Sequence, residues 1–163
     1  MLKLIVFRHG EASLNYSDDK ARALTARGQQ QVHTSIEANV ADIAGSRVLL
    51  HSPYLRARQT AALINARLQY SEVTSVDWLT PSSAVSEAIE SLYAEFLINN
   101  CASITLVTHL PFVTGFIESL CGLTRGSMVM GTGSVACIEM EVVARGCGEL
   151  KWQFHPDRCC VTE

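Results

Sequence analysis

A chain of 163 residues, 48% of them hydrophobic, can form one domain with a true core, because a domain of that size buries roughly 70% of the surface its unfolded form exposes. Its 13 Lys plus Arg against 16 Asp plus Glu give a net charge of −3 without blocks of like charge, which excludes nucleic acid and an anionic membrane as the expected main partner. The first apolar stretch, Leu2 to Phe7, stops at Arg8, short of a secretory core, and no run approaches a membrane span, so the sequence predicts a cytoplasmic protein.

In chain order, Leu2 to Phe7 is a strand of buried type, followed directly by Arg8-His9-Gly10. Thr25 is a helix N-cap ahead of Val32, Ile36 and Val40, spaced four apart, with Gly45 as the stop. Arg47 to Leu50 is a second strand, and Pro53 opens a second helix that carries Ala61, Ile64 and Leu68. Val73 to Val76 and Ile104 to Thr108 are strands, and Ala84 to Leu97 and Phe112 to Leu120 are helices. At the end, Val135 to Val143 alternates with Glu139 and Glu141 outward, and Leu150 to Phe154 pairs with it as a hairpin around Gly146 and Gly148. The expected fold is therefore a single α/β domain over residues 1–163, a mostly parallel sheet with helices on both faces and an antiparallel C-terminal hairpin.

Ligands of such sheets bind beyond the carboxyl ends of the strands. Arg8 and His9 fall there after the first strand and His109 after a later one, while Arg56 falls in the first turn of the helix after "LLHSP". Arg58 lies about 200° round that helix from Arg56, so the two do not share a ligand. His33, His51 and His155 read as surface or capping residues, Gly28 as a turn end or helix start, and Gly131 and Gly133 in "MGTGS" as a turn before a strand. The six cysteines, at 101, 121, 137, 147, 159 and 160, form no C-x-x-C pair and are expected as free thiols. His155 with Cys159 and Cys160 lacks a fourth ligand, so no metal site is expected.

Arg8-His9-Gly10, "LTARG" at 24–28, Ser52-Pro53, the Arg56-Ala57 to Thr60 segment, Thr108-His109 and the closing "TGSVACIEME" together resemble the histidine phosphatase superfamily, the Arg-His-Gly phosphatases that include phosphoglycerate mutases. The chain is especially similar to the short phosphohistidine phosphatases of the SixA type. That resemblance implies His9 as a nucleophile that carries the phosphoryl group, Arg8 and Arg56 as its anion ligands, and His109 as a cationic or hydrogen-bonding group completing the pocket. Arg22 is implied only as a candidate substrate contact. No cofactor or metal is implied. Neutral imidazole is a competent nitrogen nucleophile, and planar guanidinium forks suit the equatorial oxygens of a phosphoryl group.

Ester hydrolysis needs a general acid, worth roughly 10² to 10⁴ in rate. Larger relatives place a glutamate about where Pro81 stands, and another branch places an aspartate where Leu110 stands. Glu11, Asp18 and Asp19 remain as candidates, Glu11 equally as an exposed loop residue or a partner of Arg8. The expected function is thus a phosphohistidine phosphatase acting on a phosphohistidine-containing signalling or phosphotransferase protein and releasing inorganic phosphate. The alternatives are a small-molecule phosphomonoesterase of the same superfamily and a non-catalytic phosphoprotein-binding module.

Overall fold

Alternation of apolar side chains along the first strand sets the architecture, because both of its faces are apolar and both must be covered. In the computed structural model, which describes residues 1–100 and 102–158, β1 (Leu2–Arg8) sends Leu4 and Val6 to one face and Ile5 and Phe7 to the other, all fully buried. It pairs in parallel with β4 (Ser103–Thr108), β4 with β2 (Val48–His51), and β2 with β3 (Glu72–Ser75). On its other side β1 pairs antiparallel with β5 (Val135–Met140), which pairs with β6 (Gly148–Phe154), giving the order β3-β2-β4-β1-β5-β6.

One face is covered by α4 (Val85–Asn99) and α5 (Phe112–Cys121), which place Leu92, Val113 and Phe116 against Leu4, Val6, Leu50 and Leu106. The other is covered by α1 (Ala26–Ala38) and α3 (Leu55–Leu68), with Val32, Ile36, Ala61 and Ile64 against Ile5, Phe7, Leu49 and Val107. This is the expected α/β architecture, a mostly parallel sheet between two helical layers with an antiparallel C-terminal hairpin.

Several local expectations are corrected. Asn39 ends α1, so Val40 belongs to a separate turn, α2 (Val40–Ile43), and not to the face of Val32 and Ile36. Tyr54 occupies the N-cap of α3, which leaves Pro53 just outside the helix it was expected to open. The β5 strand stops at Met140 and is buried on both faces from Val135 to Ile138, because both helical layers extend over it; Glu139 is half-buried and Glu141 lies beyond the strand. His51 is buried at the end of β2, its Nδ1 2.9 Å from the Ser52 carbonyl, so it is not a surface residue. His33 is exposed, and half-buried His155 pairs with the Ser134 hydroxyl at 2.9 Å.

Cys121, Cys137 and Cys147 are free thiols, while Cys101, Cys159 and Cys160, and with them the grouping around His155, lie outside the described residues. Among the described residues no group of His, Cys, Asp and Glu has a metal-binding arrangement, and no helix is long and apolar enough to cross a membrane.

Candidate active site

The register of two neighbouring strands brings the histidines together. Arg8 on β1 stands opposite Thr108 on β4, and the His9 N–H continues the ladder to the Thr108 carbonyl at 3.0 Å. His9 and His109 therefore leave the sheet side by side, with ring centroids 5.0 Å apart and planes tilted by 55°. Next to β4, β2 feeds through Ser52-Pro53-Tyr54 into α3, whose first turn delivers Arg56. Arg58 is exposed, as its angular offset predicts.

The "LTARG" segment holds the loop after β1 by close backbone contact. Thr25 caps α1, its Oγ1 accepting the Gly28 N–H at 2.9 Å. A Cβ on Gly10 would run into the Gly28 carbonyl, and a Cβ on Gly28 into the Glu11 carbonyl, so both positions require glycine. Gly28 thus lies at the helix start, as expected, and acts there by close approach to the Glu11 backbone. The Gly10 N–H donates to Thr60 Oγ1 at 3.2 Å, and that hydroxyl donates to the Arg56 carbonyl at 2.8 Å, tying this loop to α3.

Two contacts fix one tautomer of His9. Nδ1 lies 2.7 Å from the Gly10 carbonyl, which only accepts, so Nδ1 carries the proton; Nε2 accepts from Arg56 Nε at 3.2 Å. Burial lowers the His9 pKa to about 3, opposed by the Gly10 contact and reinforced by the charges of Arg56, Arg8 and Arg22. His109 is lowered to about 2, first by burial and then by His9, Arg56 and Arg8. His109 is therefore neutral here, which favours the hydrogen-bonding over the cationic form of its expected role. Both of its ring nitrogens and Arg8 Nε are buried with no hydrogen-bond partner among the described residues. Each such group costs roughly 1–3 kcal/mol, which a ligand offering matched atoms would recover.

Arg8 anchors through Nη1 to the Met130 carbonyl at 2.7 Å, and burial, then Arg56, lowers its pKa. Arg56 is buried and gives Nη1 to the Asp19 carbonyl at 2.6 Å and Nη2 to Asp19 Oδ2 at 3.2 Å. Arg22 donates from Nε to the Ser13 carbonyl at 2.8 Å and from Nη1 to Asp19 Oδ1 at 3.2 Å. Around them opens a cleft of about 720 Å³, lined among others by Arg8, His9, Arg22, Arg56, Leu110 and Thr132. Thr132 carried no sequence signal beyond its place between Gly131 and Gly133. Those glycines form the expected turn before a strand, with the Gly133 N–H donating to the His9 carbonyl at 2.9 Å.

The candidate acids separate clearly. Glu11 lines the cleft, but its Oε1 accepts from Thr25 Oγ1 at 2.8 Å and its Oε2 pairs with Arg27 at 3.2 Å; it is not the partner of Arg8. Asp18 caps the Lys20 N–H at 3.0 Å from an exposed site. Burial is the largest single influence on Asp19 and raises its pKa, but the hydrogen bonds and charges of Arg22 and Arg56 together outweigh it and hold the carboxyl below its ordinary value. Ionised at neutral pH, Asp19 accepts protons in hydrogen bonds and has none to donate. That pairing had no signature in the sequence, because Asp19 and Arg56 are 37 positions apart.

The family model "Histidine phosphatase superfamily (branch 1)" matches residues 4–80. Phosphohistidine phosphatase SixA of Escherichia coli (strain K12) is 30% identical over 161 residues, 95% of this chain and 94% of that protein. A SixA homolog from Haemophilus influenzae is 28% identical over 130 residues, 74% of this chain and 78% of that protein. The solved structure of the protein histidine phosphatase SixA complexed with tungstate is similar with a TM-score of 0.85 and 26% identity, covering 97% of this chain and 99% of that one.

Proposed function

Because this chain belongs to the histidine phosphatase superfamily, we propose that it is a phosphohistidine phosphatase that removes the phosphoryl group from a histidine of a signalling or phosphotransferase protein. The observation that carries this reading is His9, held neutral with Nε2 as its basic nitrogen, in a cleft that Arg8 and Arg56 also line, with the buried ring of His109 packed beside it. In this reading the Nε2 lone pair attacks phosphorus in line, and the bond from phosphorus to the departing imidazole breaks. The imidazole leaves neutral, since its distal nitrogen carries a proton taken from solvent. Water then attacks the phosphohistidine on His9, releasing inorganic phosphate and restoring the imidazole. Arg8 and Arg56 spread their charge over the equatorial oxygens, and His109 offers an N–H to the same group. With two guanidiniums in this role the reaction needs no metal ion.

The state of the carboxylates supports phosphohistidine over phosphate esters. Glu11 is spent on Thr25 and Arg27, and Asp19 is ionised. Neither is a ready acid for an alkoxide, whereas imidazole needs none. The test is kcat/KM for a phosphohistidine domain, an aryl phosphate and phosphoserine under one set of conditions. The phosphohistidine domain is expected to be fastest and phosphoserine slower by roughly 10² to 10⁴, the worth of the missing acid. An acid-labile, alkali-stable phosphoenzyme should form in the wild type and not in His9→Ala. Equal turnover of phosphoserine would move the assignment to the small-molecule phosphomonoesterases, and phosphoenzyme in His9→Ala would end the nucleophile assignment.

A further inference from the structure

Asp19 sits in the short turn Asp19–Ala21 within the segment joining β1 to α1, and both of its carboxylate oxygens go to arginines of the cleft. Oδ2 takes Arg56 Nη2 and Oδ1 takes Arg22 Nη1, each at 3.2 Å, while its backbone carbonyl takes Arg56 Nη1 at 2.6 Å. With Nε already on His9, every nitrogen of the Arg56 guanidinium is engaged by protein. A phosphoryl group placed against His9 Nε2 needs the same fork. Two anions thus compete for one guanidinium. The carboxylate side of the pair is 47% exposed and the Arg56 side 5%, so Asp19 can return to water while Arg56 stays in place.

We propose that Asp19 is a specificity-determining counter-anion: it weakens the hold of Arg56 and Arg22 on small free phosphates, the product included, and yields more readily to a phosphoryl group delivered on a larger ligand. This rests on the reading of His9 and Arg56 as the phosphoryl site. A free phosphate dianion brings only its own charge to offset the displaced carboxylate. A phosphoryl group on a protein surface also covers the apolar mouth of the cleft, where Leu14 is 86% and Leu110 37% exposed. Burial of that apolar area adds binding that free phosphate lacks. Substrate is thereby favoured over product at a site whose arginines would otherwise retain both.

The test uses the full-length protein with Asp19→Asn, which keeps the shape and removes the charge, and Asp19→Ala, which removes both; the backbone carbonyl contact survives in each. Calorimetry reads Kd for inorganic phosphate and for tungstate, and steady-state kinetics reads KM and kcat for an aryl phosphate. Both variants are expected to bind both anions about tenfold more tightly, the equivalent of ~1.4 kcal/mol, and to lower KM without raising kcat. Phosphate should also raise Tm more in the variants than in the wild type, because their arginines lack a counter-ion until the anion arrives. If Asp19 merely holds Arg56 in position, anion binding weakens or stays unchanged while kcat falls, and the proposal is overturned. Failure of either anion to bind any of the three proteins would overturn the phosphoryl site itself; equal binding by all three would overturn only the role of Asp19.

Discussion

His9 and His109 are weak bases for one main physical reason, burial beside arginines, and this makes stability depend on pH with a definite sign. Their folded pKa values, about 3 and about 2, lie below the unfolded value near 6.5, so between these limits the unfolded chain binds more protons. Stability contributed by the neutral rings is complete above pH ~6.5 and is lost as pH falls, at up to about 1.4 kcal/mol per pH unit for each histidine. His9→Asn removes one of these groups. Denaturant unfolding at pH 6.5 and pH 4.5 should therefore show the variant gaining on the wild type by as much as about 2 kcal/mol at the lower pH. A stability difference that does not change between these pH values would mean that His9 is protonated freely in the folded protein. The same buried, neutral state suits a nucleophile at physiological pH.

At the scale of elements, the loop after β1 is held by α1 through backbone contact, and glycine at two positions permits it. In Gly28→Ala the new methyl would meet the Glu11 carbonyl and backbone that has no flexible end to yield, so α1 and the Gly10–Glu11 segment must separate. The expected loss is about 1–3 kcal/mol in stability, with activity falling further than stability because Gly10 also carries the carbonyl that orients His9. Thermal denaturation and aryl phosphate turnover of the purified variant measure both. A variant as stable and as active as the wild type would show that the contact relaxes at no cost. Thr25 lines the cleft itself and, as the N-cap of α1, ties Glu11 and Gly28 together through its hydroxyl.

For the whole molecule, β1 is the common wall of two cores, and the site is built on its end. Phe7 lies fully buried one residue before Arg8 and packs in the layer shared by α1 and α3. Phe7→Ala should cost about 3–5 kcal/mol, and chemical denaturation reads the loss directly. A change below 1 kcal/mol would mean that the layer closes over the missing ring. The sequence by itself determined the apolar strands, their polar ends and the helix spacing, because burial imposes local periodicity that a chain cannot hide. It therefore located Arg8, His9, Arg56 and His109 at strand and helix ends, and its motifs indicated the family. Tertiary structure decided what those ends meet. The parallel register of β1 with β4 sets His9 beside His109, and both faces of β5 are covered because helical layers from elsewhere in the chain reach over it. The Glu11 contact with Arg27 and the Asp19 bridge between Arg22 and Arg56 were equally beyond local pattern. Ion pairs form between whichever charges the fold brings within reach, and that depends on packing, which no spacing along the chain encodes.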